Sequence, residues 1–341
     1  MTDLSKALAR ALAALPRRPL AHLPTPLEEL PRLTAALEGP RLLVKRDDCT
    51  GLGLGGNKTR KLEFLMAEAL EHNADTVITT GGVQSNHVRQ TAAAAARLGL
   101  ACELVLTRVV PWGGPDYETS GNIQLDRLFG ARIHLHDGDT NRTAAMEALG
   151  ESLRRAGRTP YLIPTGGSNV TGALGYAAAA QELAAQAAER GVKIAAVVHA
   201  CSSGGTQAGL TAGFAALDPS VKVIGIDVDA HPEAVAAEVR RLAGDLWTRL
   251  GLPGDFPAER VALEAGYAGE AYGLPTEAMK AAVTRTAALE GLLLDPVYSG
   301  KAMAGLIGLV EAGAFTADDT VVFLHTGGTP ALFPYREALE N

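Results

Sequence analysis

The chain has 341 residues, 47% of them hydrophobic, which is enough apolar material to form the cores of two domains. It carries 31 basic and 38 acidic residues, for a net charge of −7, and aromatic residues make up only 5%. Because no basic run or aromatic-rich basic patch is present, we expect neither nucleic acid nor a membrane surface as a partner.

The cysteines and the N-terminal segment indicate the compartment. Cys49, Cys102 and Cys201 are too few and too scattered for a disulfide framework or a Cys-rich zinc site, so reduced thiols are expected. Residues 1–20 mix Leu and Ala with Lys and Arg and contain no unbroken apolar stretch. We therefore expect no signal peptide, no membrane span and a cytoplasmic location.

In the first half of the chain, apolar β-branched segments alternate with helical patterns. A short amphipathic helix is expected to end near Pro16, and an extended, proline-restricted segment follows at 23–27. The predicted strands are 41–45, 76–80, 102–110, 132–136 and 159–164. The predicted helices are one that starts near Lys58, one that ends at Leu98, and 121–129, 140–156 and 170–189.

The second half continues the alternation. The predicted strands are 194–199, 221–227, 292–295 and 320–325, and the predicted helices are 206–217, 231–250, 276–289 and 301–312. This order is typical of a parallel α/β protein with helices on both faces of its sheets. A single barrel is the alternative, but strand-to-helix turns rich in Gly, Ser, Thr and Asn recur at four places. Such turns favour two open sheets that face a shared cleft.

His134 and His136 lie two residues apart in a predicted strand and would point to the same face. A metal pair is conceivable, but no third ligand lies nearby. The favoured interpretation is a partly exposed strand at the edge of a sheet, and we expect no metal.

Lys58 follows a glycine-rich turn at 51–56 and falls in the first turn of a predicted helix. The amide N–H groups at a helix start carry partial positive charge, which disfavours an ammonium group and should lower the pKa of Lys58. A free lysine amine attacks carbonyl compounds, so Lys58 is a candidate nucleophile. The alternative is a solvated surface lysine beside Arg60 and Lys61.

A second glycine-rich turn, from His199 to Gly209, also joins a predicted strand to a helix. Its small residues would let several backbone N–H groups and hydroxyls bind a phosphate without a cation. They are Ser202, Ser203, Gly204, Gly205 and Thr206. The turn lacks both G-x-G-x-x-G and the Walker lysine, so a dinucleotide or nucleoside triphosphate is disfavoured. A tight turn without a ligand is the alternative.

Polar residues cluster at three further predicted strand ends, 84–87, 165–169 and 325–329. Helix capping explains Ser85 or Asn86 but not a whole cluster. Tyr272 and Tyr298 fall in loops, where packing with a hydrated hydroxyl is the alternative. Together, an amine, a phosphate-binding turn and several hydroxyl-bearing loops describe a site for pyridoxal 5′-phosphate (PLP).

Six sequence blocks, spread over about residues 20–335, are long enough to compare with known families. They are KRDD from Lys45, GGNKTRKLEF from Gly55, QSNHVRQTA from Gln84, GGSNVTGALGY from Gly166, DPVYSGK from Asp295 and HTGGTPALF from His325. These blocks resemble the family of D-cysteine desulfhydrase and 1-aminocyclopropane-1-carboxylate (ACC) deaminase. The resemblance implies the tryptophan synthase β-like fold, PLP fold type II, in a homodimer. We expect residues 1–54 and 165–341 to form a larger PLP-binding domain and 55–164 a smaller α/β domain.

The resemblance also implies roles for individual residues. Lys58 would bind the cofactor aldehyde covalently, and the turn at 202–206 would hold the phosphate. Asn86 would contact the ring hydroxyl, and Ser85 would serve the substrate carboxylate or transfer a proton. The remaining expected site residues are Tyr272 and Tyr298, which match two active-site tyrosines, and His87 and Gly167, beside the substrate.

Two positions divide the members of this family. Ring-opening deaminases carry Glu and Leu where this chain has Ser299 and Thr326, so the chain resembles the desulfhydrases. Both residues are expected at the cofactor, whose ring nitrogen would accept a hydrogen bond and stay unprotonated because no carboxylate is near. The expected reaction is therefore PLP-dependent conversion of a small amino acid, D-cysteine, to pyruvate, ammonia and hydrogen sulfide.

Other functions remain open at this stage. DDCTGL from Asp47 and VHA from Val198 also resemble L-cysteate sulfo-lyase, whose sulfonate substrate would need a cation such as Arg60, Arg89 or Arg108. ACC deaminase and a non-catalytic PLP carrier are further alternatives. A nucleotide-binding oxidoreductase is the weakest, because its fingerprint is missing.

Overall fold

A computed structural model describes residues 2–114 and 116–340, and Met1, Pro115 and Asn341 lie outside this description. The strands are β1 (Leu27–Glu29), β2 (Arg41–Lys45), β3 (Thr76–Gly82), β4 (Ala101–Thr107), β5 (Arg132–His136), β6 (Pro160–Ile163), β7 (Ala196–Cys201), β8 (Lys222–Asp227), β9 (Ala262–Glu264) and β10 (Thr320–Leu324). The helices are α1 (Asp3–Ala14), α2 (Pro31–Leu37), α3 (Lys58–Glu71), α4 (Asn86–Leu98), α5 (Asn122–Leu128), α6 (Arg142–Arg155), α7 (Val170–Glu189), α8 (Gly205–Leu217), α9 (Pro232–Arg249), α10 (Glu277–Glu290), α11 (Ser299–Glu311) and α12 (Arg336–Leu339).

The strands form two sheets. The larger runs β1-β2-β10-β7-β8-β9 and is parallel except for β1, which pairs antiparallel with β2. The smaller runs β5-β4-β3-β6 and is parallel throughout. The prediction of open parallel sheets is confirmed, and the alternative of a single barrel is wrong.

The strands at the centre of each sheet are buried because their side chains are apolar on both faces. In the larger sheet Val197, Val198, Val322 and Phe323 are fully buried. Helices α7 and α8 pack closely against each other, since a Cβ on Gly209 would lie 2.4 Å from a backbone oxygen of α7. Glycine at this point of α8 thus allows the helix that follows β7 to approach the backbone of α7.

One predicted strand is wrong. Residues 292–295 form no strand in the described structure, and the Leu293 carbonyl accepts a hydrogen bond from His325 Nε2 at 3.1 Å. Leu292 and Leu294 are buried while Leu293 is 52% exposed, so the segment has the alternation of a strand without a neighbour. The short elements β1, α2 and β9 were not predicted.

Parallel strands place their carboxyl ends at one edge of a sheet, and the polar turns after β3, β6, β7 and β10 all begin there. All strands of the smaller sheet fall between residues 76 and 163. We therefore propose 55–164 as the smaller domain, with 1–54 and 165–341 as the larger. Within the described residues, no helix is both long and apolar enough to cross a bilayer.

Candidate active site

A cavity of about 610 Å³ lies where the turns of the two sheets meet. It falls within the usual size range of small-molecule sites. Of the residues expected at the site, it is lined by Lys58, Ser85, Asn86, His87, Ser202, Ser203, Gly204, Thr206, Tyr272, Tyr298 and Thr326. Gly167, Gly205 and Ser299 do not line it.

Asn57, which sequence reasoning missed, ties three of these turns together. Its backbone N–H donates to the carbonyl of Thr326 at 2.9 Å, and its side-chain amide donates to the hydroxyl of Thr206 at 3.1 Å. Lys58 follows directly and begins α3. The amine-bearing residue therefore starts its helix beside the phosphate-type turn and the last strand end.

The Lys58 amine faces the cavity, and burial lowers its pKa to about 8, although interactions with Cys201 and Lys61 oppose this shift. At pH 7 about one amine in ten is then neutral, against about one in three thousand at the ordinary pKa. The direction agrees with the sequence argument, but removal of water from the ammonium group is the main cause. Such an amine can attack an aldehyde at neutral pH.

The turn after β7 has the form of an anion site. Helix α8 begins at Gly205, and Gly204 before it has a φ of +79°, which favours glycine. The hydroxyls of Ser203 and Ser168 lie 2.8 Å apart, and Gly205 N donates to Ser168 Oγ at 3.3 Å. The Ser202 hydroxyl donates to Asp229 at 3.0 Å instead.

Lys61 places a second amine behind this turn, and burial and then the charge of Lys58 lower its pKa well below the ordinary value. The expectation of a phosphate held by N–H groups and hydroxyls without a cation stays a prediction. The buried Nζ of Lys61 donates to the Gly166 carbonyl and to Ser168 Oγ, both at 3.1 Å. A Cβ on Gly205 would lie 2.9 Å from this nitrogen. Lys61 was set aside as a surface neighbour of Lys58, but its i+3 spacing placed it on the same face of α3.

The turn after β3 presents Ser85, Asn86 and His87. Ser85 is the N-cap of α4, where its Oγ accepts from Val88 N at 3.3 Å and has no acceptor for its own proton among the described residues. Burial, and then the charges of Lys58 and Lys61, hold the pKa of His87 well below its ordinary value. His87 is therefore neutral and adds no charge to the cavity.

These residues suit PLP. Lys58 offers an amine for its aldehyde, and the start of α8, with the Lys61 amine behind it, offers N–H groups for its phosphate. The family model described as "Pyridoxal-phosphate dependent enzyme" matches residues 19–327. The chain belongs to this family. It is a PLP-dependent enzyme. This membership excludes a nucleotide-binding oxidoreductase and argues against a protein that carries PLP without catalysis.

Two relatives similar to this PLP-dependent enzyme have different names. An ACC deaminase of Burkholderia ambifaria (strain MC40-6) is 45% identical over 335 residues, covering 97% of this chain and 99% of the relative. A D-cysteine desulfhydrase of Klebsiella pneumoniae (strain 342) is 45% identical over 333 residues, covering 96% and 98%. The expected family is confirmed, and the choice between its activities stays open.

A solved structure titled as an ACC deaminase homologue has a TM-score of 0.89 and 37% identity and covers 99% of both chains. The expected PLP fold type II architecture is thereby confirmed. The turns that form the cavity thus belong to the core of a known PLP fold.

In this PLP-dependent enzyme, Tyr272 and Tyr298 share a hydrogen bond between their hydroxyls, and their ring centroids lie 5.9 Å apart. Burial raises the pKa of Tyr272 to about 12 and holds that of Tyr298 well above its ordinary value. Both hydroxyls are therefore protonated at neutral pH. They can donate hydrogen bonds to a ligand, but they are poor bases.

Ser299 is fully buried and contacts Asp295 instead of the cavity. Its hydroxyl donates to Asp295 Oδ1 at 2.6 Å, and the same carboxylate accepts from the N–H groups of Val297 and Tyr298. Thr326 does line the cavity. Neither position 299 nor Asp295 brings a carboxylate into the cavity wall.

None of the three arginines considered for a sulfonate lines the cavity. Arg60 pairs with Asp47 and Glu182 in the core, Arg89 contacts neutral groups, and Arg108 pairs with Glu118 at the surface. The half-buried Arg142, at the start of α6, does line it. Sequence reasoning missed Arg142, because no motif surrounds it and it reaches the cavity from the start of a helix instead of a strand end.

Proposed function

We propose that this PLP-dependent enzyme performs an α,β-elimination on a β-substituted alanine and that its substrate is D-cysteine. The reaction breaks the Cα–H and Cβ–S bonds, takes up one water molecule, and yields pyruvate, ammonia and hydrogen sulfide. One observation supports this reaction class above all: Lys58 lines the same cavity as Thr206 and Thr326. Asn57, directly before Lys58, holds these segments together by its hydrogen bonds to Thr206 and Thr326.

When bound, PLP supplies an electron sink next to the substrate Cα. Lys58, with a pKa of about 8, is the residue best suited to take the Cα proton at Nζ. The hydroxyl proton of Ser85 suits it to donate to the substrate carboxylate or to transfer a proton on the opposite face. Tyr272 and Tyr298 stay protonated and can donate a hydrogen bond to the departing sulfur.

The choice of D-cysteine rests on Ser299 and Thr326. Ser299 is occupied by Asp295, so the cavity wall carries no carboxylate at the place where the resemblance expects Glu in ring-opening deaminases. Thr326 adds a small hydroxyl where those enzymes would carry Leu. These features support elimination over opening of a cyclopropane ring, although the relatives bear both names.

The test is a substrate panel with the purified PLP-loaded protein. D-Cysteine, L-cysteine, L-cysteate and ACC are supplied in turn, and sulfide, sulfite, ammonia and the keto acid are measured. We expect equal amounts of sulfide and pyruvate from D-cysteine, and a roughly 10²–10⁴-fold lower rate after Lys58→Ala. Turnover of ACC alone, or of no amino acid, would refute the proposal.

Lys58→Ala has a second readout that does not depend on the substrate. Without its amine the protein should lose the visible absorption of covalently bound PLP, while the noncovalent phosphate contacts remain. If this absorption is unchanged, Lys58 is not the residue that binds the aldehyde.

Release of sulfite from L-cysteate is a second candidate function, and Arg142 supports it. A sulfonate leaving group needs a cation, and a guanidinium fits its oxygens in bidentate geometry. Asp229 and Glu270 line the same cavity, so its wall also carries negative charge. Sulfite in the panel above would establish this alternative. A homodimer and a cytoplasmic location remain predictions that light scattering and fractionation can test.

A further inference from the structure

Arg89 is a fully buried cation that has no carboxylate within ion-pair distance among the described residues. Its guanidinium donates to three neutral acceptors: Gly55 O at 2.6 Å, Asn122 Oδ1 at 3.0 Å and Asn86 Oδ1 at 3.4 Å. Burial lowers the pKa of Arg89 to about 10, although the charges of Asp126 and Asp295 oppose this shift, so Arg89 stays charged at pH 7. Burial raises the pKa of Asp126 itself to about 8. A buried charge whose hydrogen-bond partners are all neutral is unfavourable for folding, which suggests a use elsewhere.

Arg89 determines which way the Asn86 amide faces. A guanidinium has only donors, so the oxygen of Asn86 must face Arg89. The side-chain amide of Asn122 donates to the same oxygen at 3.0 Å. With its oxygen held by two donors, Asn86 has its NH₂ group left for the cavity that it lines.

The second donor is itself fixed. Asn122 Nδ2 also donates to the Gln84 carbonyl, and Asn122 N–H donates to Gln84 Oε1, both at 2.9 Å. Gln84 Nε2 donates in turn to the carbonyls of Tyr117 and Ser120. Each side-chain amide in this hydrogen-bonded series has one orientation that satisfies its neighbours, so the Asn86 amide cannot flip without breaking several hydrogen bonds.

We propose that Arg89 is a positioning residue that keeps Asn86 a hydrogen-bond donor toward the cavity, so that the ring oxygen of PLP is bound in its deprotonated form. The inference rests on the proposed contact between Asn86 and that ring oxygen. A fixed N–H donor accommodates an unprotonated oxygen and disfavours a hydroxyl that would donate. The positive charge of Arg89, one amide away, adds to the same preference.

The test is a double-mutant cycle on Asn86→Ala and Arg89→Met. For each protein, the apoenzyme is titrated with PLP, and the visible absorption of the loaded protein is recorded against pH. Arg89→Met should weaken PLP binding about tenfold and move the absorption change to higher pH, because the deprotonated oxygen loses its donor. In the Asn86→Ala background the same substitution should have no further effect.

The cycle separates positioning from a merely structural role. If Arg89→Met has its full effect in the Asn86→Ala background as well, the proposal is overturned. Arg89 would then act through the carbonyl of Gly55, in the turn that precedes Lys58. If Asn86→Ala alone leaves binding and absorption unchanged, the proposed Asn86 contact fails instead, while elimination activity tests the enzyme separately.

Asn122→Asp keeps the test valid if Arg89→Met does not fold. It replaces the second donor to Asn86 by an acceptor of the same shape, and we expect a smaller shift in the same direction. No shift with Asn122→Asp, in a protein whose circular dichroism matches the wild type, would also overturn the proposal. Arg89→Lys, which keeps the charge but not the fork of donors, should fall between Arg89→Met and the wild type.

Discussion

Lys58 and Lys61 lie three residues apart at the start of α3, and after burial the charge of Lys58 is the largest cause that lowers the pKa of Lys61. The two amines nevertheless serve different parts of the site. Lys58 lines the cavity, whereas Lys61 donates to Ser168 behind the phosphate-type turn. One helical turn thus supplies the amine for an aldehyde and a second amine behind the phosphate-type turn.

This division predicts that Lys61→Met weakens PLP binding by roughly 10- to 100-fold, the usual loss for a hydrogen bond to a charged group. Pyridoxal, which has no phosphate, should bind almost equally to both proteins. Titration of the apoenzyme with each ligand measures the difference, and Lys222→Met, on the surface, is the control. Equal losses for PLP and pyridoxal would show that Lys61 supports the fold and not the phosphate.

The lowered pKa of Lys58 predicts how capture of PLP depends on pH. Only the neutral amine reacts with the aldehyde, so the capture rate should rise about tenfold per pH unit below pH 8 and level off above it. A lysine at its ordinary pKa would still show a rising rate at pH 9. Stopped-flow absorbance between pH 6.5 and 9.5 distinguishes the two, and a rate that keeps rising to pH 9.5 contradicts the assigned pKa.

Much of this site could be predicted because its residues stand at strand ends, where sequence order and spatial position coincide. Lys58, Ser85 and Thr206 each follow a strand or glycine-rich turn, and parallel pairing brings these turns to one edge. Their polar character stands out from apolar strands. The fold itself was predictable for the same reason, since strands and helices differ in hydrophobic period.

The residues that were missed depend on contacts between distant segments. Nothing near Asn57 in the sequence indicates its bond to Thr206, 149 positions away. Arg142 likewise reaches the cavity from a helix start that looks like any surface helix. Ser299 was expected at the cofactor, but a hydrogen bond to Asp295, four residues earlier, directs it away from the cavity. For Asn57 and Arg142, the direction of the side chain is decided by tertiary packing, which a single sequence does not encode locally, whereas the contact that turns Ser299 away is a local one that no motif indicated.

Glu182 predicts a stability effect outside the cavity. Burial opposes its ionisation, but Arg60 and Lys45 overcome this and lower the pKa of Glu182 to about 2. The carboxylate therefore contributes about 3 kcal/mol to the free energy of unfolding, fully present above about pH 4.5 and lost as the pH falls through about 2. Glu182→Gln should cost about 3 kcal/mol or more at pH 7, because it leaves two buried cations short of a partner.

Urea unfolding at pH 7 and at pH 3 measures this effect. The difference between Glu182→Gln and the wild type should shrink at the lower pH. Glu151→Gln is the matched control, because Glu151 pairs only with exposed arginines and should change stability by less than about 0.5 kcal/mol. A loss for Glu182→Gln that does not depend on pH would contradict the pKa argument.

Arg142 offers the sharpest test of which leaving group the cavity accepts. If Arg142 binds a sulfonate, Arg142→Gln should lower kcat/KM for L-cysteate by roughly 10- to 100-fold and leave D-cysteine nearly unchanged, since only the sulfonate carries the extra charge. Arg108→Gln, an exposed arginine paired with Glu118, is the control. Equal losses for both substrates would instead place Arg142 at the carboxylate that they share, and the cavity would then lack any cation assigned to a sulfonate.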